Sequence, residues 1–375
     1  MIGKIALTKN LQKEMGLDAA GHNFDVKVPK VSVIVLNYNG MRYIERCLSS
    51  VFLTNYPSLE VILVDNASKD GSRDLALSMF GRKAGFRLIS SPVNLWVPGG
   101  YNLGARNSAG EYLIFLNNDT VVESDWVIEL IRTISKDSSI GAAQSKILVL
   151  ENPCLLDCAG GFLDPLGMPW ERGAGKKDLG QYDKPDEIFY AKGAAMMVRR
   201  DVFFKVGGFD ETYMSYFEET DLSWRIWLHG LRVIFVPTSK IYHAGGGTMH
   251  LVYRPDIYYR YRRNQLLTLL KNYNSKNVVK YFGIAILVDF RNLLVILLSK
   301  LTRRRVQLVQ PITLLSVYVW LIRHIDTVIE KRAFVQMRIR KVSDSFIFRK
   351  AMRKMFSAPR LLLFGQTRAR IRPPD

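Results

Sequence analysis

What most constrains this chain is a series of short apolar runs, each of which stops at a cluster of Asn, Asp or Gly. Val31–Leu36 (VSVIVL) ends at Asn37-Tyr38-Asn39-Gly40. Glu60–Val64 (EVILV) ends at Asp65-Asn66-Ala67-Ser68, and Glu111–Leu116 (EYLIFL) at Asn117-Asn118-Asp119. Runs this short, rich in Val, Ile and Leu, are what strands look like when both faces of their sheet are covered. Between them Tyr43–Leu53, Ser72–Met79 and Tyr101–Ser108 read as helices, and Arg87–Ile89 as one more short strand. The alternation predicts a doubly wound, mostly parallel α/β sheet with helices on both faces. Ligands of such sheets bind beyond the carboxyl ends of the strands. One polar cluster alone would be an ordinary turn; three at successive strand ends point to one crevice.

Further on, Glu151–Pro185 is rich in Gly, Pro and Asp and reads as irregular loops. Ala194–Val198 is strand-like and is followed by the turn Gly207-Gly208-Phe209-Asp210. Glu218-Glu219-Thr220-Asp221 stands just ahead of a predicted helix, Leu222–His229, and Val233–Val236 is again strand-like.

Charge divides the chain unevenly. The net charge is +19. Residues 254–375 hold 26 Lys and Arg against 6 Asp and Glu, and residues 1–253 hold 27 against 28. A near-neutral body with a basic last third calls for an anionic partner, nucleic acid or an anionic membrane. Tyr281–Leu298 and Val306–Ile322 are apolar stretches interrupted by Asp289, Arg291 and Pro311. Both fall short of the roughly 20 clean apolar residues that span a bilayer. Arg303-Arg304-Arg305, Arg338–Lys341 and Arg349–Lys354 flank them, a pattern that suits helices lying in the membrane interface. The alternative is a helical appendage packed on the body with its charges solvated. Three cysteines (Cys47, Cys154, Cys158) make no disulfide scaffold and no zinc pattern. The N-terminus lacks a signal pattern, so the cytoplasmic side is the expected compartment.

Five motifs in order, VSVIVLNYNG, EVILVDNASKDGS, GEYLIFLNNDT, GGFDETYMSYFEETDLSWR and IYHAGGGT, resemble the family 2 glycosyltransferases of the GT-A fold, and within them a rhamnosyltransferase-like branch. The resemblance runs from about Val31 to Tyr273. It implies a leader (1–30), a GT-A domain (31–253, with a nucleotide-binding half at about 31–135 and an acceptor half at about 136–253) and a basic helical region (254–375) at the membrane. It implies that Asn37 and Asn39 line the nucleotide pocket and that Asp65 accepts from the base. A carboxylate suits the ring N–H of uracil or thymine. Asn94, Gly99, Gly100 and Asn102 would belong to a loop that lets backbone approach the nucleotide. Asn117-Asn118-Asp119 takes the place of the family's D-x-D motif with one carboxylate, Asp119. His243 takes the place of a second ligand for Mn²⁺ or Mg²⁺. Glu219 stands where the family's base is found, with Asp221 and Glu218 as alternatives.

These readings imply an inverting, metal-dependent transferase. It would move a sugar, rhamnose by the nearest resemblance, from a dTDP- or UDP-linked donor to a glycan or polyprenyl-linked acceptor. The alternatives are a UDP-hexose transferase with another acceptor and a nucleotide-sugar-binding scaffold with a reduced D-x-D. A nucleic-acid partner would explain the basic tail and leave the five motifs without a role, so none is expected.

Overall fold

A computed structural model describes residues 28–245, 254–301 and 311–351. Most of the expected leader, Gly246 and Gly247, the Arg303–Arg305 run and the chain beyond Ala351 lie outside the described residues.

The apolar runs form the centre of the molecule. Strand β1 (Val31–Asn37) pairs in parallel with β2 (Leu59–Asp65) on one side and β4 (Tyr112–Asn117) on the other, and β3 (Phe86–Ser90) extends the sheet beyond β2. Side chains alternate across a strand, and both faces are used. Val33 and Val35 meet Ile44, Leu48 and Val51 of helix α1 (Ile44–Phe52) and Ala76 and Phe80 of α2 (Ser72–Phe80). Ile34, Ile62 and Val64 meet Tyr101 and Ala105 of α3 (Trp96–Arg106) on the opposite face. Because β4 lies on the far side of β1 from β2, the strand order reverses between β1 and β4. The ends of these strands are in register, with Asn37 opposite Asp65 and Leu36 opposite Asn117.

The sheet continues through strands the spacing only partly foretells. After β5 (Thr120–Val122) and α4 (Trp126–Ile134) come β6 (Ile140–Val149) and β7 (Asn152–Cys158). The hairpin β8 (Gly161–Leu163) and β9 (Pro169–Glu171) follows, then β10 (Asp186–Glu187) and β11 (Ala195–Arg199). The stretch 151–185 is therefore not wholly irregular, as its Gly and Pro content suggests. β7 pairs with β6, and Phe162 stacks on Trp170 at 4.8 Å across the hairpin. Helix α5 (Arg200–Lys205) is followed by α6 (Glu218–Leu228) and β12 (Arg232–His243). β11 joins β4 and β6 in antiparallel fashion, while β6 and β12 are parallel. Helix α6 begins earlier than expected, so Glu218, Glu219 and Asp221 form its first turn instead of preceding it.

Helix α7 (Pro255–Asn272) buries Arg262, Arg263, Asn264, Gln265 and Lys271 against the body, so the shift in charge at Arg254 is not a break in packing. Helices α8 (Gly283–Leu301), α9 (Pro311–Arg323), α10 (Ile325–Phe334) and α11 (Asp344–Lys350) complete the described chain. Asp289, which interrupts the apolar run of α8, has a structural reason. Its carboxylate accepts from Arg262 of α7 at 2.7 and 3.0 Å and from the Tyr318 hydroxyl of α9. A buried charge is tolerated when paired and hydrogen-bonded in this way. No single described helix is long and apolar enough to cross a membrane. α9 and Ile325–Ile339 together reach that length and composition, bent by 67°.

Candidate active site

The strand-end clusters do converge, and Asn37 is where they meet. Its amide donates to Asp65 Oδ1 (3.1 Å), Ser68 Oγ (3.1 Å) and Ser72 Oγ (2.9 Å), and its oxygen accepts from Asn118 Nδ2 (2.9 Å). All of this happens at the β1–β2–β4 ends, with Asn37 wholly buried. So Asn37 is a strut that fixes the crevice wall and not a lining group with free valences. Asp65 is also buried, holding Asn37 and the backbone N–H of Ser68 (3.3 Å), and lies well before the start of α2. Asn39 adopts φ 51°, a left-handed conformation that Asn tolerates, and accepts from Lys69 N at 2.8 Å. Asn94 accepts from Asn66 Nδ2 (2.9 Å) and Trp96 N (2.8 Å), tying the β2 end to the start of α3.

Gly99, Gly100 and Asn102 sit differently from the expectation. They belong to helix α3, not to a loop open to a nucleotide. A Cβ on Gly100 would lie 2.3 Å from Leu36 Cδ1, so this glycine lets the helix press onto β1. Asn102 pins the turn at Phe209, donating to its carbonyl (2.8 Å) and to Glu211 (2.9 Å) and accepting from its N–H (3.0 Å).

Asp119 and His243 are brought together by the pairing of β5 with β12, which sets Thr120 opposite His243. His243 Nε2 is 3.3 Å from Asp119 Oδ1, and Nδ1 is 2.9 Å from Asp157 Oδ2. Burial opposes a charged imidazole, yet the hydrogen bonds it donates to both carboxylates raise its pKa to about 9. Burial likewise works against the charge on Asp157, but His243 and Lys192 outweigh it and bring its carboxyl down to about 2. Asp119 is also held below the ordinary carboxylate range, chiefly by His243 against its own burial. Lys192 closes the network on Asp157 (3.0 Å) and Glu171 (2.9 Å).

The donor set fits a divalent cation in one particular way. No group of three or more His, Cys, Asp or Glu able to hold a metal occurs among the described residues. Two donors do face each other, Asp119 and His243 Nε2. Mg²⁺-type sites are commonly completed by substrate phosphates and water. Asp157 on Nδ1 stands where an outer carboxylate orients a histidine in metal sites.

The three acids of α6 separate cleanly. Asp221 is fully buried, paired with Arg225 (2.7 Å) and Lys271 (2.9 Å) and accepting from Asn272 (2.9 Å). Burial would raise its pKa, but Arg225 and Lys271 hold it low. It clamps α6 to α7. Glu218 and Glu219 each keep one buried carboxylate oxygen with no hydrogen-bond partner in the described protein. Burial raises both pKa values, and for Glu218 the neighbouring charge of Glu219 raises it further. Glu219 is the more accessible of the two, beside Gly193, where a side chain would lie 3.9 Å from its Cδ.

Tyr101 joins the two halves. Its hydroxyl donates to Asn117 Oδ1 at 2.9 Å. Burial is the main reason its phenol resists ionisation, and the charges of Glu218, Asp119 and Glu219 add to it. The D-x-D-like turn and the acid turn therefore share one locale around this ring. Sequence reasoning missed Tyr101, Asp157, Lys192 and Glu171. Tyr101 was legible only as a helical residue, and the others lie in or after the stretch read as loops.

Residues 32–207 match the family model described as Glycosyl transferase family 2. The chain is 30% identical over 227 residues to the O-antigen biosynthesis protein RfbC of Myxococcus xanthus, a match over 57% of this chain and 17% of that protein. It is 28% identical over 240 residues to an N-acetylglucosaminyl-diphospho-decaprenol L-rhamnosyltransferase of Mycobacterium tuberculosis, a match over 56% of this chain and 75% of the relative. Among solved structures, TarS 1–349 of S. aureus aligns with a TM-score of 0.49 at 17% identity, over 67% of this chain and 69% of that one. Residues 32–207 form a domain of glycosyl transferase family 2.

Proposed function

We propose that the chain transfers a glycosyl group, with inversion, from a nucleoside diphosphate sugar to an acceptor hydroxyl. The observation that carries this reading is the convergence of Asn37, Asp65 and Asn118 at the switch point of the sheet, next to the facing pair Asp119 and His243. Asp65 suits the base of a uridine or thymidine nucleotide. Asp119 and His243 would hold Mn²⁺ or Mg²⁺, which would supply charge to the departing diphosphate. With a cation on Nε2, Asp157 would hold the proton of His243 on Nδ1.

Glu219 is the proposed base. A carboxylate with a raised pKa and an oxygen without a hydrogen-bond partner among the described residues is suited to take a proton near neutral pH. As the acceptor oxygen forms its bond to the anomeric carbon, its proton passes to Glu219. The bond from that carbon to the diphosphate oxygen breaks, and the nucleoside diphosphate keeps the electron pair. Asp221 is spoken for by Arg225 and Lys271 and serves as a strut.

We further propose a rhamnosyl donor and a polyprenyl-linked or glycan acceptor at the cytoplasmic face of a membrane. The named activity of the mycobacterial relative supports the donor and acceptor. The basic last third and the exposed apolar side chains of α8 to α10 support the location. The test is release of nucleoside diphosphate from a panel of dTDP-, UDP- and GDP-sugars with Mn²⁺ or Mg²⁺, with and without a lipid-linked acceptor. Turnover of one donor that needs both metal and Glu219 supports the reading. Tight nucleotide-sugar binding with no turnover under any pairing favours a scaffold.

A further inference from the structure

Two hollows run end to end between α7 and α9. One, of about 390 Å³, lies among Trp96, Met214, Tyr259, Arg260 and Ile312. The other, of about 340 Å³, continues past Tyr259, Ile312 and Ser316 to Trp320 and Arg323. Each is as large as a small-molecule site. Helix α9 turns Leu314, Val317 and Leu321 into the protein, while on the furrow side Ile312 is 68% and Leu315 61% exposed. Apolar side chains without a partner among the described residues, aligned along a furrow, mark a surface that meets something apolar.

The furrow has a polar end, and that end is at the acid turn. Val97 N donates to Met214 O at 3.0 Å, joining the start of α3 to the segment that leads into Glu218. Met214, Tyr216 and Phe217 all have positive φ (63°, 68° and 73°). This uncommon backbone is held by Asn264 of α7, whose amide donates to the carbonyls of Tyr213 (2.9 Å), Ser215 (2.8 Å) and Tyr216 (2.8 Å). Arg260 lies over the Trp96 ring at 5.5 Å, and both it and Arg254 reach Asp256 at 3.1 Å. After burial, the charges that act most on the Tyr216 phenol are those of Arg260 and Glu218, so the cationic end and the acid turn are neighbours.

We propose that this furrow holds the hydrocarbon chain of an amphipathic acceptor. The anionic linker of that acceptor meets Arg260 and Arg254, and its sugar hydroxyl reaches Glu219. The proposal rests on the transferase reading of the acid turn. It assigns the acceptor's lipid chain to α7 and α9, which lie outside the residues matched by the family model.

The probe is radiolabelled farnesyl phosphate below its micellar concentration, bound to the full chain by equilibrium dialysis. Farnesol and inorganic phosphate are the comparisons. The wild type is expected to bind farnesyl phosphate, farnesol more weakly, and inorganic phosphate not measurably. Ser316 is exposed on α9, so Ser316→Trp fills the furrow without entering the core. It is expected to weaken farnesyl phosphate by at least about tenfold, with melting temperature, nucleotide binding and donor hydrolysis unchanged. Arg260→Gln is expected to remove the preference for farnesyl phosphate over farnesol. Wild-type binding by Ser316→Trp overturns the proposal. So does a dimer, seen by light scattering, that Ile312→Asp breaks without any lipid binding in the wild type. Binding of farnesyl phosphate with no turnover of any nucleotide sugar leaves the furrow standing and removes the transferase reading. Turnover with no farnesyl phosphate binding does the reverse.

Discussion

Asp157 Oδ2 lies 2.9 Å from His243 Nδ1, so the imidazole reaches Asp119 with its other nitrogen. This outer carboxylate decides how His243 is presented. A neutral histidine that donates from Nδ1 must offer Nε2 as its lone pair, on the side of Asp119. Asp157→Asn keeps the shape and removes the charge that fixes this tautomer. Losses of about 10- to 100-fold in metal affinity follow from removing such a partner. Titration of Mn²⁺ into the protein with a nucleoside diphosphate present, followed by thermal shift, reads this directly. Unchanged affinity would place the cation elsewhere.

Glu219 and Asp221 are two residues apart and differently placed: Asp221 is paired with Arg225 and Lys271, while Glu219, the proposed base, keeps an oxygen without a hydrogen-bond partner among the described residues. Glu219→Gln keeps the shape and cannot take a proton, so kcat is expected to fall by about 10²- to 10⁴-fold with donor affinity little changed. Asp221→Asn removes the carboxylate charge shared by Arg225 and Lys271, both buried. Its effect is expected first in stability, with a cost of about 3–5 kcal/mol for breaking a buried pair. Denaturant melts and single-turnover rates on both variants separate the two roles. An Asp221→Asn enzyme that folds as well as the wild type and is dead would reverse the assignment.

Glu218 carries a stability cost that can be measured. Its pKa is raised in the folded state by burial and by Glu219, so the fold prefers it protonated. Such a group loses stability as pH rises from the ordinary glutamate value of 4.5 through its folded value. Glu218→Gln is therefore expected to raise the melting temperature at pH 7 to 8 and to make no gain below pH 4.5. A melting temperature that falls equally at both pH values would show that the carboxyl is needed for packing.

Asp210 has the opposite sign. It is paired with Lys271 at 2.7 Å and with Lys331 at 2.6 Å, which ties the 207–210 turn to α7 and α10. Burial would raise its pKa, but the two ammonium groups depress it strongly. Its contribution is present above the ordinary value of 3.8 and is lost as pH falls below that toward the folded value. Asp210→Asn is expected to destabilise the protein at pH 7 and to flatten the acid limb of the stability curve. Identical acid limbs for the two proteins would mean that this pair contributes nothing.

The parts of the fold legible in the sequence are those with a period. β1, β2 and β4 could be read because both of their faces are apolar, and their terminal Asn and Asp residues because polar clusters interrupt apolar runs. Convergence at Asn37 followed from topology alone. The glycines of α3 were misplaced because close helix–sheet packing and a loop open to a ligand call for the same residue. Asp157 was invisible because β7 carries Asn, Pro and Asp at a sheet edge and shows no strand pattern, and Lys192 because it lies between β10 and β11, where no period marks it. Asp289 interrupts an apolar run, and no rule of sequence spacing could have matched it to Arg262 on another helix.

The proposed membrane contact makes the final prediction. Leu287 and Phe290 of α8 are 68% and 67% exposed, Ile322 of α9 is 72% exposed, and Ile325 and Ile329 of α10 are exposed as well. Fully burying one such side chain stabilises by about 1.5–3 kcal/mol. Each Lys or Arg near an anionic surface adds roughly 1 kcal/mol. Deleting the helices is a poor test, because Lys331 and Arg332 bond to Asp210 and to the carbonyls of Leu270 and Tyr273, so their loss would disturb the body. The double substitution Leu287→Glu, Phe290→Glu changes only exposed positions and reverses both the apolar and the electrostatic contribution. Wild-type protein is expected to co-sediment with vesicles containing phosphatidylglycerol, less so at high salt and little with neutral vesicles. The double variant is expected to stay in the supernatant with its melting temperature preserved. Equal sedimentation of both proteins would remove this face from the membrane. Wild-type binding that resists both high salt and carbonate, and yields only to detergent, would instead favour insertion of the bent pair formed by α9 and Ile325–Ile339.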